Sequence, residues 1–112
     1  MKVVKVFGDD FTKNDLEFLK ELDADVGYYW YSFWDYGGQG YLLIQKDGKW
    51  YLHDCGHCSC NTPLDTIYDS LRVGYDSLNG LLDCCTDELR QEIMPLVEQA
   101  RIEGKEDRNE LS

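Results

Sequence analysis

His53, Cys55, His57, Cys58 and Cys60 crowd into eight residues of the chain, and thiols and imidazoles at such spacing serve three chemistries. The first is metal binding. Cys55-x-x-Cys58 has the spacing of a zinc knuckle, in which two thiolates from one turn grip an ion at about 2.3 Å. Zinc would draw its other ligands from Cys60, His57, His53 or the distant Cys84-Cys85 pair. A second well-spaced pair is missing, because adjacent cysteines on a helix point apart.

The second chemistry is nucleophilic catalysis, in which a thiolate attacks once an imidazole takes its proton or a helix N-terminus lowers its pKa. Cys58 and Cys60 lie just ahead of a helix expected from Pro63. His57 cannot easily serve Cys58, since adjacent strand residues face opposite sides, whereas His53 and Cys55 share a face. No oxyanion-hole sequence and no third orienting residue can be identified. The third chemistry is structural: cysteines act as small apolar core residues, and a His-Cys-Ser-Cys turn satisfies backbone groups as strand gives way to helix. The structural reading is preferred, with a zinc-stabilised domain on Cys55, His57, Cys58 and Cys60 as first alternative and a cysteine-nucleophile enzyme as second.

These residues need strands and helices to place them. Lys2–Phe7 is a short β-prone run. Thr12 is a helix N-cap with Asp15 at the capping-box position, and Leu16, Phe18, Leu19 and Leu22 form a stripe through Asp23. Tyr28–Tyr36 is a strand with rings on both faces: Tyr28, Trp30, Trp34 and Tyr36 on one, Tyr29, Tyr31 and Phe33 on the other. Gly37-Gly38-Gln39-Gly40 reads as a flexible connection. Asp47-Gly48 then joins Tyr41–Gln45 to Trp50–Asp54 in a two-residue hairpin. That register sets Ile44 opposite Tyr51, Leu43 opposite Leu52, Leu42 opposite His53, Gln45 opposite Trp50 and Tyr41 opposite Asp54.

Thr62 and Pro63 start a further helix that Gly74 closes. Asp76–Cys85 is a short helix interrupted by glycine. Thr86 caps a last one, from Asp87 to about Ile102, that Pro95 should kink or split. Residues 1–102 make one domain, and 103–112 form a polar tail expected to fray.

The chain has 112 residues, enough to bury roughly two-thirds of its unfolded surface without staples. Its 22 acids against 11 bases leave a net charge of −11. Phosphate contacts need Lys and Arg, so direct nucleic-acid or anionic-membrane binding is disfavoured. Attraction to a basic surface, such as the nucleic-acid groove of another protein, is favoured. The plain alternative is that acidity only keeps the protein soluble. The opening MKVVKVFGDD has no signal-peptide pattern and no segment nears membrane-span length, so a cytoplasmic protein is expected. Five cysteines, an odd number, suit free thiols or a metal better than a closed disulfide set.

From Asp9 to Asp35 there are eight acids and two lysines. Asp9, Asp10, Asp15, Glu17, Glu21, Asp23, Asp25 and Asp35 are therefore the candidate charged contacts with a partner. One sheet and one helix layer can hardly cover both aromatic rows, so Tyr29, Tyr31 and Trp34 are the candidate exposed anchors.

Gly56-His57-Cys58-Ser59-Cys60-x-x-Pro63, behind the hairpin Lys46-Asp47-Gly48-Lys49-Trp50-Tyr51, resembles small uncharacterised proteins of phages and bacterial mobile elements. Those proteins combine an aromatic hairpin with a GHCSC-x-x-P turn. The resemblance spans Trp30 to Pro63 and transfers no residue role. It implies a phage context and the host cytosol, where small acidic proteins resemble anti-CRISPR and other anti-defence inhibitors in type.

The fold expected is α+β, a small antiparallel sheet of three or four strands with an N-terminal helix and C-terminal helices packed on one face. The function expected is non-enzymatic: an acidic inhibitor or adaptor occupying a basic surface of a partner protein, with no cofactor.

Overall fold

The computed structural model describes residues 2–8, 17, 19–22, 24–34, 37–58 and 67–111 of the chain. Strands β1 (Lys2–Gly8), β2 (Val26–Trp34), β3 (Gly37–Lys46) and β4 (Lys49–Asp54) lie in that order in one sheet, and β5 (His57–Cys58) also pairs with β3. Helices α1 (Ile67–Ser70), α2 (Leu78–Asp83) and α3 (Asp87–Leu111) follow. Glu17, Leu19, Lys20 and Glu21 are helical as well, where the first helix was expected. Its proposed cap at Thr12, and that of the next helix at Thr62, lie outside the described residues.

The class is α+β, but the sheet is mixed. β1 runs parallel to β2, whereas β2–β3 and β3–β4 are antiparallel. Parallel neighbours cannot be joined by a tight turn and need a crossover of roughly a dozen residues or more. Residues 9–25 provide that length, and Leu19 and Leu22 from this crossover are buried in the core.

The hairpin forms in the expected register: Ile44 opposite Tyr51, Leu43 opposite Leu52, Leu42 opposite His53, Gln45 opposite Trp50 and Tyr41 opposite Asp54. Asp47 and Gly48 have φ of 54° and 80°, the pair of positive values that a type I′ turn demands. Gly37–Gly40 is a correction. These residues do not form a flexible connection but open β3, paired with β2 on one side, while β5 pairs at Gly37 and Gly38 on the other. The glycines suit a crowded strand: a Cβ on Gly40 would lie 2.1 Å from the Trp30 carbonyl oxygen.

β4 and β5 continue one another. Asp54 lies opposite Tyr41, the Cys55 amide donates to the Gly40 carbonyl at 2.9 Å, and His57 and Cys58 lie opposite Gly38 and Gly37. No residue is gained or lost between the two strands.

Both faces of this sheet are covered. On one, Tyr29 and Tyr31 of β2 and Leu42 and Ile44 of β3 pack with Cys55, Leu19, Leu22 and Ile67. On the other, Tyr28, Tyr41 and Leu43 pack with Leu81 of α2 and with Ile93, Leu96, Val97 and Ala100 of α3. The expectation of helices on a single face is therefore corrected to helical layers on both. The apolar run Tyr41-Leu42-Leu43-Ile44 carries the reason: a strand without polar alternation must be buried on each side. Each such side chain, fully buried, contributes about 1.5–3 kcal/mol.

The C-terminal helices start on side-chain caps. Ser77 Oγ accepts from the Gly80 amide at 3.0 Å at the head of α2, and Thr86 Oγ1 accepts from the Leu89 amide at 3.2 Å at the head of α3. Pro95 does not split α3, which passes through it and continues to Leu111. Packing of Ile93, Leu96 and Val97 against the sheet holds the turn on each side of the proline. The last helix was expected to end near Ile102 but continues past it, and Tyr28 donates its phenolic hydrogen to Glu103 at 2.6 Å. Among the described residues no helix is long and apolar enough to cross a membrane.

Candidate functional site

The end of the β4–β5 strand holds the described part of the histidine and cysteine cluster. Strand alternation sets His53 and Cys55 on one face, and both are buried, at 1% and 0% exposure. His53 Nδ1 and Ser70 Oγ of α1 are 2.8 Å apart, so the imidazole fastens α1 to the sheet. Cys55 sits among Leu42, Ile44 and Ile67. A thiol in that position meets no solvent-borne substrate, which suits the structural role and weighs against Cys55 as a nucleophile.

The spacing Cys55-x-x-Cys58 lies on a strand kept in register by β3, not on the tight turn a zinc knuckle requires. The side chains of His57 and Cys58, and all of Cys60, lie outside the described residues. Among the described residues no group of three His, Cys, Asp or Glu comes together as a metal site.

The candidate partner-binding residues separate into three groups. Glu17, Glu21 and Asp25 are exposed. Asp9, Asp10, Asp15, Asp23 and Asp35 lie outside the described residues, as does the side chain of Trp34. Tyr29 and Tyr31, expected as exposed anchors, are 4% and 3% exposed. That expectation is corrected: the crossover helix and α1 cover this aromatic row, which serves the core. Trp30, from the opposite row, is half-buried and stacks on Tyr41 with ring centroids 6.0 Å apart.

A further acidic face lies on α3 and was not singled out from the sequence. Glu88 and Glu98 are exposed, opposite the buried stripe Ile93, Leu96, Val97 and Ala100, and Glu92, also exposed, sits at the edge of that stripe. The signal was present in the helical spacing of that stripe, which assigns the intervening acids to the outer side. Of the two arginines within Asp87–Glu103, Arg90 pairs with Asp87 at 3.7 Å, and both also reach α2. Arg90 Nε donates to the Leu82 carbonyl at 2.8 Å and Arg101 Nη2 to Asn79 Oδ1 at 3.0 Å, both on α2. Both arginines are thus already engaged.

Glu92 accepts a hydrogen bond from Tyr41 at 2.5 Å, which anchors the helix. What the arrangement can do chemically is present fixed negative charge on rigid helices. Comparison with known proteins finds no match to this chain among protein-family models, curated proteins or solved structures.

Proposed function

We propose that this protein is a non-enzymatic, acidic protein-binding inhibitor or adaptor that occupies a basic surface on its partner. A nucleic-acid-binding effector would offer such a surface, and the resemblance to phage and mobile-element proteins suggests one belonging to host defence. The observation that carries the reading is the outer face of α3, where Glu88 and Glu98 are exposed while Arg90 is engaged with both α2 and Asp87, and Arg101 with α2. Glu17 and Glu21 add exposed charge on the other helical layer, and Asp25 adds more in the bend ahead of β2, within a net charge of −11.

Such a surface acts by occupancy. Long-range attraction speeds encounter with a basic groove. The dependence on salt follows, since exposed charges more than about 8 Å apart are largely screened at physiological ionic strength. Tyr29 and Tyr31 have no part in this contact.

The test is capture of partners from host lysate at low and high salt, followed by the purified pair with charge-reversed variants. Glu88→Lys with Glu98→Lys, and separately Glu17→Lys with Glu21→Lys, should weaken binding at least tenfold on the face that is used. A partner that binds both variants as tightly as the parent, and does so regardless of salt, refutes the reading.

A further inference from the structure

Cys84 and Cys85 are two adjacent free thiols outside the acidic face. Cys84 is the C-cap of α2, with φ −87° and ψ −4°, and is exposed. Cys85 is half-buried beside the second core cluster, and its thiol donates to the Leu81 carbonyl at 3.3 Å.

Two polar groups flank the pair. Cys84 first, then burial, then the charge on the neighbouring sulfurs push the Tyr75 phenol up. Tyr75 is itself held in place by its backbone, which exchanges hydrogen bonds of 2.7 and 2.9 Å with Trp50 of β4. On the other side stands Arg90. Burial pushes the Cys85 thiol up, while the Arg90 guanidinium works in the opposite direction. A donor at Cys84 and a cation near Cys85 are what a pair of thiolates needs once their protons leave.

We propose that Cys84 and Cys85 form a dithiol site for a soft, thiophilic acceptor with two open valences. Zinc in a closed tetrahedral shell is a poor fit, because among the described residues no third His, Cys, Asp or Glu joins the pair. A soft acceptor satisfied by two sulfurs fits the donor set. Trivalent arsenic bearing one organic group is the simplest such acceptor. With an arylarsine oxide, two S–H bonds and the As=O bond give way to two As–S bonds, and the oxygen leaves as water; no atom changes oxidation state. Cys84 is open to the reagent, and Cys85 joins by rotating its side chain away from the Leu81 carbonyl, at the loss of one weak bond.

The experiment uses the full reduced chain with one equivalent of phenylarsine oxide, read by intact mass. The expected result is one phenylarsenic group per chain, stable to excess monothiol and removed by 2,3-dimercaptopropanol. The adduct should be lost in Cys84→Ser/Cys85→Ser and kept in Cys58→Ser/Cys60→Ser. In the unsubstituted chain, where folding is not at issue, it should block iodoacetamide labelling of Cys84 and Cys85 in peptide maps. Absence of an adduct, its retention in the first variant, its loss in the second, or protection mapping to other cysteines overturns the proposal.

Discussion

The Tyr41 phenol, on the strand at the middle of the sheet, donates its hydrogen to the Glu92 carboxylate of α3 at 2.5 Å. Tyr28, on the neighbouring strand, does the same to Glu103 at 2.6 Å. The two acids are spaced by about three helical turns and so return to one side of α3. One acidic helix is therefore fastened to the sheet through two of its own carboxylates, while others stay outside.

Tyr41→Phe should cost roughly 1–2 kcal/mol, the usual worth of a hydrogen bond to a charged acceptor that can partly return to water. Urea denaturation checks it. Burial first, then the Glu92 carboxylate, then the charge on Asp54, push the Tyr41 phenol up from the usual value of about 10. A group whose pKa is raised by folding contributes stability that is full below its unfolded pKa and is lost as pH rises toward the folded one. The stability gap between parent and Tyr41→Phe should thus hold at neutral pH and narrow above about pH 10. A gap that widens there contradicts the assignment.

Ser70→Ala removes the hydroxyl 2.8 Å from His53 Nδ1. An imidazole buried at 1% exposure cannot turn to water instead. The expected loss is about 1–3 kcal/mol, read from the denaturation midpoint, with Ser70→Thr recovering much of it. An unchanged midpoint in Ser70→Ala would show that α1 is held to the sheet by packing alone.

Gly40→Ala should be among the most damaging single changes in the chain. Its Cβ would fall 2.1 Å from the Trp30 carbonyl oxygen and 2.7 Å from Tyr31 Cα, and both neighbours are backbone of β2 that cannot swing aside. Overpacking of this kind typically costs about 1–3 kcal/mol or more. Soluble yield and melting temperature report it.

The hairpin was legible pair by pair, because Asp47-Gly48 permits only one short turn geometry and so sets the register of every residue beyond it. Thr86 as a cap was equally plain. The second helical layer was not, since the choice between covering and exposing an aromatic row depends on where the crossover from β1 lands. That crossover is decided by parallel pairing of Lys2–Gly8 with Val26–Trp34, which leaves no local mark. Gly37–Gly40 was misread for a related reason: glycine signals both a loose link and a place where another backbone comes close. Of the site, the exposed acids Glu17, Glu21 and Asp25 could be read from composition. Burial of Tyr29 and Tyr31, and the reach of Arg90 and Arg101 to α2, depend on tertiary contacts.

Pro95→Ala should stabilise the protein. The proline lacks the N–H that would bond to the carbonyl of Gln91, and its ring crowds that group. The packed stripe around it tolerates this without relieving it. A gain of about 1–3 kcal/mol is expected, visible as a higher melting temperature with unchanged far-UV circular dichroism. A lower melting temperature would mean that the proline fits a bend the sheet requires.

The unbroken register from Lys49 to Cys58 limits how this stretch can change length. Losing a single residue at Cys55 or Gly56 would exchange inside for outside at all later positions of the strand, whereas losing two would preserve their facing. Descendants of this sequence should therefore tolerate paired deletions there and purge single ones, while insertions at the tip beside Asp47 carry no such parity.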